Sequence, residues 1–397
     1  MKIAILTSGI LPVPAVLGGA VENLIDFYLA YNDQHKLHNI TVYSVDNPKT
    51  KTHHALQSDV NHYHFIDIKS RLARIRIKLY ALLHPESPYY HHSISYYLEQ
   101  SIKQIRKQDY DLILIENRPA YALRLRQVTL AKIAYHLHNE KIDNDSEDYR
   151  CIYDAASRII TVSDYIGNCV KSFHPDDTKC ITVYNGIDLK AFSYMRTPRI
   201  TRKDLRLDDD DFVLIFCGRI SREKGFFQLL DAMLKIQPQP NIKLLFLGSP
   251  FYGNAKTKGE AQFFEAIKAK VEIIKDRIIF TGYIPYDQMP DYLSVSDVSV
   301  TPSIWDDPFP TTVLEAQAMC KPIIATRRGG IPEEVSEKNA ILLETDEHFV
   351  DRLSEAILDL YHHPEKRLEM AEESRKRSTL FDKENYAKNF FNALENL

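Results

Sequence analysis

Short apolar runs recur along the whole chain, and most are followed by a longer stretch with helical spacing. In the first half the runs are "KIAILTS", "ITVYSV", "DLILIEN", "KIAYHLH", "RIITVSD" and "CITVYNG". They are nearly continuous rather than alternating, as strands covered on both faces are. The second half repeats the scheme with "FVLIFCG", "IKLLFLG", "RIIFTG", "DVSVTPS", "KPIIAT" and "AILLE". Strands alternating with helices predict parallel α/β sheets. From about 346 to 397 the pattern is helical and charged, while "SYMRTPRITRKDLRLDDDD" has no apolar periodicity and predicts a linker near 190–210. The expected architecture is two doubly wound α/β domains, 1–190 and 191–379.

In open α/β sheets ligands bind beyond the carboxyl ends of the strands. In the second half those ends carry distinctive residues. "FVLIFC" is followed by Gly218, Arg219, Lys224 and Gly225, and "KLLFL" by Gly248 and Ser249. "RIIF" runs into Thr281, Gly282 and Tyr283, "VSV" into Pro302 and Ser303, and "IIAT" into Arg327, Arg328, Gly329 and Gly330. A phosphorylated ligand needs close backbone approach, hydrogen-bond donors and positive charge, and this rim would supply all three. Taken singly, each glycine also reads as an ordinary turn residue and each cation as a surface charge.

The stretch "DDPFPTTVLEA" follows one of these ends. Asp307 and Glu315 stand eight positions apart, but Pro308 and Pro310 between them forbid a single helix. Asp307 is therefore expected in a loop and Glu315 in the helix that follows. "TVLE" (312–315) also matches a capping box, with Thr312 as N-cap and Glu315 at the third helical position.

Composition narrows the function. Of 50 basic and 54 acidic residues, 22 and 21 lie within 1–190, which leaves 28 and 33 for the remainder. Neither half has the basic excess of a nucleic-acid-binding domain. The five cysteines are scattered and never spaced C-x-x-C, which points to a reducing cytoplasm and away from disulfides or zinc. "NHYH" (61–64) resembles a metal pair, but strand alternation explains it, and no metal is expected. The apolar start reads as neither a membrane span nor a signal peptide.

"GRISREKG", "FTGYIP" and "PSIWDDPFPTTVLEAQAMCKPIIATRRGGIPE" together resemble the donor domain of glycosyltransferase family four, enzymes of the GT-B fold. "PVPAVLGGAVEN" resembles that family's glycine loop, and "AYHLHNE", "VSDYI" and "VYNGID" are similar to its N-terminal domain. The resemblance implies a GT-B enzyme with two Rossmann-like domains facing a central cleft, the last helix (about 380–397) packing back onto the N-terminal one. It implies metal-independent, cofactor-free, retaining transfer from a nucleoside-diphosphate sugar, with UDP expected. The acceptor would be a glycan or lipid-linked saccharide of the kind used for capsule or lipopolysaccharide.

By motif match, Arg219 and Lys224 would hold the diphosphate, with Gly218, Gly18 and Gly19 approaching it. Tyr283 and Ile284 would flank the base, Glu315 would accept from the ribose hydroxyls, and Asp307 would bind the sugar. Thr311 and Thr312 would donate through N–H and hydroxyl. Asp307 departs from the usual Glu, and Pro310 stands where glycine is common. His138 matches a histidine placed near the reacting sugar; it also reads as a buried, hydrogen-bonded strand histidine. Asn117 and Arg118 are candidates for meeting the acceptor.

"IKSRLARIRIKLYALL" (68–83) has Ile68, Leu72, Ile75, Leu79 and Leu82 at helical spacing, and Lys69, Arg71, Arg74, Arg76 and Lys78 around them. It fits an ordinary helix packed on its sheet, or a basic helix lying on an anionic membrane surface. The expected location is the cytoplasm, with peripheral contact at the inner face of its membrane. Two other classes remain open: another GT-B enzyme, such as a sugar-nucleotide epimerase or inverting transferase, and a non-catalytic GT-B partner subunit. A dinucleotide oxidoreductase fits least, because no G-x-G-x-x-G follows the first strand.

Overall fold

A computed structural model describes residues 1–139, 142–143, 148–248 and 258–395. Ser249, and Glu140 of "HNE", fall outside them. The chain forms two compact units: Met1–Gly186 with Lys383–Leu397, and Ile187–Asp382. The first contains β1 (Lys2–Leu6), β2 (Asn39–Val45), β3 (Asn61–Ile66), β4 (Leu112–Glu116), β5 (Lys132–Leu137), β6 (Arg158–Thr161) and β7 (Cys180–Thr182). They lie in the order β3-β2-β1-β4-β5-β6-β7, all parallel. The second contains β8 (Phe212–Cys217), β9 (Ile242–Leu247), β10 (Ile278–Phe280), β11 (Val298–Thr301), β12 (Ile323–Thr326) and β13 (Ala340–Leu343). Their order is β10-β9-β8-β11-β12-β13, again all parallel.

Each sheet is doubly wound. The chain moves outward from a central strand, then returns to add strands on that strand's other side, which leaves a switch point between β1 and β4 and another between β8 and β11. All twelve apolar runs are strands. The seventh strand of the first sheet, β3, lies at its edge against β2. Its sequence "NHYHFI" is not a continuous apolar run, because His62 faces solvent.

The stretch expected as a linker is a tethered part of the second unit. Arg196 and Arg199 pair with Asp291 at 3.2 and 2.7 Å, and Arg202 pairs with Asp297 at 2.9 Å. These partners lie some ninety residues away in sequence, so local polarity gave no sign of them. The units divide at Gly186 and Ile187 rather than at 190, because Ile187 N–H donates to the Phe381 carbonyl at 2.7 Å.

The helix Lys383–Glu395 belongs to the first unit. Phe390, fully buried, stacks on Tyr28 of the helix Ala20–His35 with ring centroids 4.3 Å apart. Both rings sit in one apolar cluster with Ile3, Ile5, Val42 and Leu114. The helix Arg71–Leu83 is arranged differently. It is capped by Ser70, which accepts from Ala73 N–H at 3.1 Å, and Ala73 is its buried residue. Leu72, Ile75, Leu79 and Leu82 are 66, 56, 55 and 81% exposed, so the apolar stripe faces outward instead of packing on the sheet.

Phe390→Ala should destabilise the first unit by about 3 to 5 kcal/mol, the usual cost of emptying a large buried aromatic site. Chemical denaturation of the full chain, followed by far-UV circular dichroism, checks this.

Candidate active site

The switch point of the second sheet gathers the loops after β8 and β11. The first carries Arg219, exposed, and Lys224, half-buried. It ends at Gly225, whose φ of 67° favours glycine. A Cβ there would lie 1.8 Å from the Pro302 carbonyl oxygen, so only glycine lets the two loops meet. Ile304 N–H then donates to the Glu223 carbonyl at 2.9 Å and ties them together.

The loop after β12 joins from the other side. Gly330 N–H donates to the Asp307 carbonyl at 2.8 Å, and Gly329, with φ 56°, would put a Cβ 2.2 Å from that same oxygen. After β9 and β10, Gly248 N–H donates to the Gly282 carbonyl at 3.0 Å, and Gly218 backs directly onto Gly248. Five strand ends therefore lie on one rim.

Asp307 is buried, and its side chain is engaged from two sides. The Lys224 ammonium donates to Asp307 Oδ2, and Ser303 Oγ donates to the same oxygen at 3.4 Å. Lys224 Nζ also lies 5.7 Å from the ring centroid of Trp305, the one tryptophan of the chain. Arg328 pairs with Asp306 at 3.1 Å. Two residues assigned separate tasks from the sequence, Lys224 and Asp307, are thus bonded to each other.

Glu315 lies in the helix Thr311–Ala318 and is 4% exposed. The capping box is not formed. Pro310 occupies the N-cap position with φ −70° and ψ 118°, two residues before the expected N-cap, so the helix starts at Thr311 and Thr312 lies inside it. The Thr311 side chain instead hydrogen-bonds Glu315. Burial pushes the Glu315 carboxyl up to about 8, and the Thr311 bond only partly opposes it. Cys217, at the end of β8, and Tyr286 both feel the Glu315 charge. Tyr283 is exposed, and Ile284 and Thr312 are partly so.

The first unit holds the remaining candidates. Gly19, with φ 113°, precedes the helix Ala20–His35, and Gly18 N–H donates to the Ala15 carbonyl at 2.8 Å. This loop is fastened by Asp26, which accepts from Ala15 N–H at 2.8 Å, and by Ser44, which accepts from Val13 N–H at 2.8 Å. Asn117 bridges the ends of β4 and β5: its Oδ1 accepts from the N–H groups of His138 and Asn139, each at 3.0 Å. Arg118 lies over the Tyr90 ring at 5.3 Å.

His138 follows β5 and is buried. Its Nε2 lies 3.0 Å from Glu116 Oε2, and His136 Nδ1 lies 3.1 Å from the same oxygen. Neither Glu116 nor His136 was expected in a site. The signal for them was a glutamate and a histidine closing otherwise apolar strands that pair in register, Glu116 against His136. Among the described residues these three side chains form a group whose ligating atoms lie within 4.8 Å of one another. The group does not favour a metal. A ligating histidine normally donates its other ring N–H to a partner, and His136 Nε2 is buried without one. His62 and His64 are not part of it.

Residues 199–377 match the family model described as Glycosyl transferases group 1. Spore coat protein SA of Bacillus subtilis is 29% identical over 95% of this chain and 94% of its own length. The lipopolysaccharide 1,2-N-acetylglucosaminetransferase of Salmonella typhimurium is 30% identical over 58% of each chain. In fold, the chain is similar to Anabaena HepE in complex with UDP and glucose, with TM-score 0.75, 20% identity and full coverage of both chains. It is also similar to sucrose-phosphate synthase from Thermosynechococcus elongatus, with TM-score 0.78, 20% identity and coverage of 100 and 98%. Residues 199–377 are thus a group 1 glycosyltransferase domain, and the chain as a whole is a transferase with the GT-B fold of its structural neighbours.

Glu315 sets a testable pH dependence. Its folded value lies above the ordinary one, so the folded chain keeps a proton that the unfolded chain releases. That contribution is complete below the unfolded value of 4.5 and is lost as pH rises through about 8. Glu315→Gln should therefore gain in melting temperature relative to wild type as pH rises from about 5 to about 9. Paired melting scans across that window check the sign.

Proposed function

We propose that the protein transfers a sugar, with retention, from a UDP-sugar to a glycan or lipid-linked saccharide acceptor in cell-surface polysaccharide synthesis. The observation that carries this reading is the convergence of Arg219, Lys224, Asp307 and Glu315 on one switch point. The lipopolysaccharide relative and the UDP-bound neighbour support the substrate classes.

In this reading Arg219 and Lys224 neutralise the diphosphate as it leaves, in place of a divalent cation. Preorganised charges aimed at a developing anion are the main source of such stabilisation. The start of the helix Thr311–Ala318 adds backbone donors and a favourable dipole. The buried Glu315 carboxyl receives the ribose hydroxyls, which supply hydrogen bonds that burial denies it from solvent. Tyr283 and Ile284 flank the base, and Gly218, Gly18 and Gly19 allow close approach to phosphate. Asp307 exchanges its bond with Lys224 for the sugar hydroxyls as Lys224 turns to phosphate. The acceptor oxygen bonds to the anomeric carbon on the face from which the phosphate departs, and the departing phosphate takes the acceptor's proton. His138 lies near the reacting sugar, and Asn117 and Arg118 border the acceptor. No metal or cofactor takes part.

The lipid-linked acceptor gives the helix Arg71–Leu83 a purpose. Its exposed Leu72, Ile75, Leu79 and Leu82 enter the headgroup boundary of an anionic membrane, while Lys69, Arg71, Arg74, Arg76 and Lys78 meet the lipid charge. Each basic residue near such a surface adds about 1 kcal/mol. Among the described residues no helix is long and apolar enough to cross a membrane.

Two measurements test these statements. With UDP-, GDP-, ADP- and dTDP-sugars in the absence of metal, a UDP-sugar should raise the melting temperature and alter the fluorescence of Trp305, and Lys224→Ala should lose both effects. No response from folded wild-type protein to any of the four would refute the donor assignment. In flotation, the chain should rise with anionic but not neutral liposomes. Replacing the five basic residues with glutamine should leave it at the bottom, and unchanged flotation would rule the helix out.

A further inference from the structure

The Glu116 carboxylate is wholly buried at the end of β4 and is held by three side chains, from a helix, from β5 and from the residue that follows β5. Tyr28 Oη, on the helix Ala20–His35, donates to Oε1 at 2.8 Å. His136 Nδ1 lies 3.2 and 3.1 Å from Oε1 and Oε2, and His138 Nε2 lies 3.0 Å from Oε2. A buried carboxylate persists only if its lone pairs are met by donors or by opposite charge. Both ring nitrogens facing Glu116 must then carry the proton. Three donors on one carboxylate is a complete arrangement, and it fixes the tautomer of each ring.

The two histidines differ in access. The side chains of Glu116 and His136 are 0% exposed, while that of His138 retains 5%. With the His138 proton committed to Nε2, Nδ1 keeps the ring's lone pair. The His138 backbone is fixed independently, because its N–H donates to Asn117 Oδ1 at 3.0 Å. His136 packs against His138, with ring centroids 4.0 Å apart, and against Phe390 at 4.9 Å, which limits rotation of both rings. Burial and the neighbouring His136 hold His138 below the ordinary histidine range, while Glu116 opposes them.

We infer that Glu116 is the positioning residue of the transfer site: it locks His138 as the neutral Nε2–H tautomer, so that Nδ1 acts only as an acceptor toward a hydroxyl of the reacting sugar. Tyr28 completes the carboxylate's donor set and keeps its other oxygen from competing. This rests on the reading that His138 lies near the reacting sugar. The inference extends that reading to the reaction's choice of partner, because an acceptor-only imidazole selects a group that donates. A carbonyl or a phosphate oxygen at that place would find no donor on the ring.

The test has two readouts, tautomer and turnover. Long-range nitrogen–proton NMR correlations on the full chain, assigned with His138→Gln, should show wild-type His138 protonated on Nε2 alone near neutral pH. Glu116→Leu removes both accepting oxygens, so nothing holds the proton on Nε2, and His138 should lose its single tautomer. Release of UDP from UDP-glucose by the same variant should fall in kcat by roughly tenfold to a thousandfold with KM little changed. Glu116→Asp, which keeps the charge, should restore part of both.

A wild-type His138 protonated on Nδ1 overturns the inference, whether or not the variant folds. So does a folded Glu116→Leu that keeps the Nε2–H tautomer, or one whose kcat is unaltered per folded molecule. If wild-type protein neither binds nor consumes UDP-glucose, the donor assignment fails instead, and the tautomer measurement still decides the role of Glu116.

Discussion

Parallel pairing is the constraint on which the site depends. A parallel sheet places all its strand ends at one edge, and double winding opens a gap between β8 and β11 at that edge. Residues far apart in sequence, Lys224 and Asp307, are brought into contact there without any long-range loop. The close approach is made by backbone. Gly225 touches the Pro302 carbonyl and Gly329 touches that of Asp307, so the rim is held by contacts that no side chain could enter. What remains open to chemistry is the set of side chains projecting from these fixed loops.

Two buried glutamates show how the same burial yields opposite charge states. For Glu315 desolvation is the leading effect, and one threonine bond cannot offset it, so the carboxyl rises to about 8. For Glu116 desolvation also pushes upward, but His136 and His138 outweigh it and bring the group down to about 2. The difference lies in the donors present. Burial alone would assign both acids the same state, whereas Glu116 is met by two histidines and a tyrosine and Glu315 by one threonine.

Most of the fold was legible because strands covered on both faces leave continuous apolar runs. β3 was less visible because an edge strand with His62 in solvent alternates. The tether through Arg196, Arg199 and Arg202 was illegible because its acidic partners, Asp291 and Asp297, are distant in sequence. The helix start at Thr311 could have been read, since Pro310 fixes a cap-compatible backbone and removes the need for Thr312 to cap. Arg219, Lys224, Asp307 and Glu315 were visible as motif positions. Glu116 and His136 were visible only as polar residues inside apolar strands, and their meeting required the register of β4 and β5.

The helix Lys383–Glu395 has a consequence for how the chain is made. It closes the core of the first unit, yet it follows the whole of the second unit in sequence. The first unit therefore lacks Phe390, and leaves the face around Tyr28 uncovered, until the whole of Ile187–Asp382 has been synthesised. Domains fold as units during synthesis, usually in order from the N-terminus. Here that order cannot be completed early, because the nascent first unit waits through nearly two hundred codons with its apolar face uncovered. Chaperone demand during translation is thus written into the position of one helix.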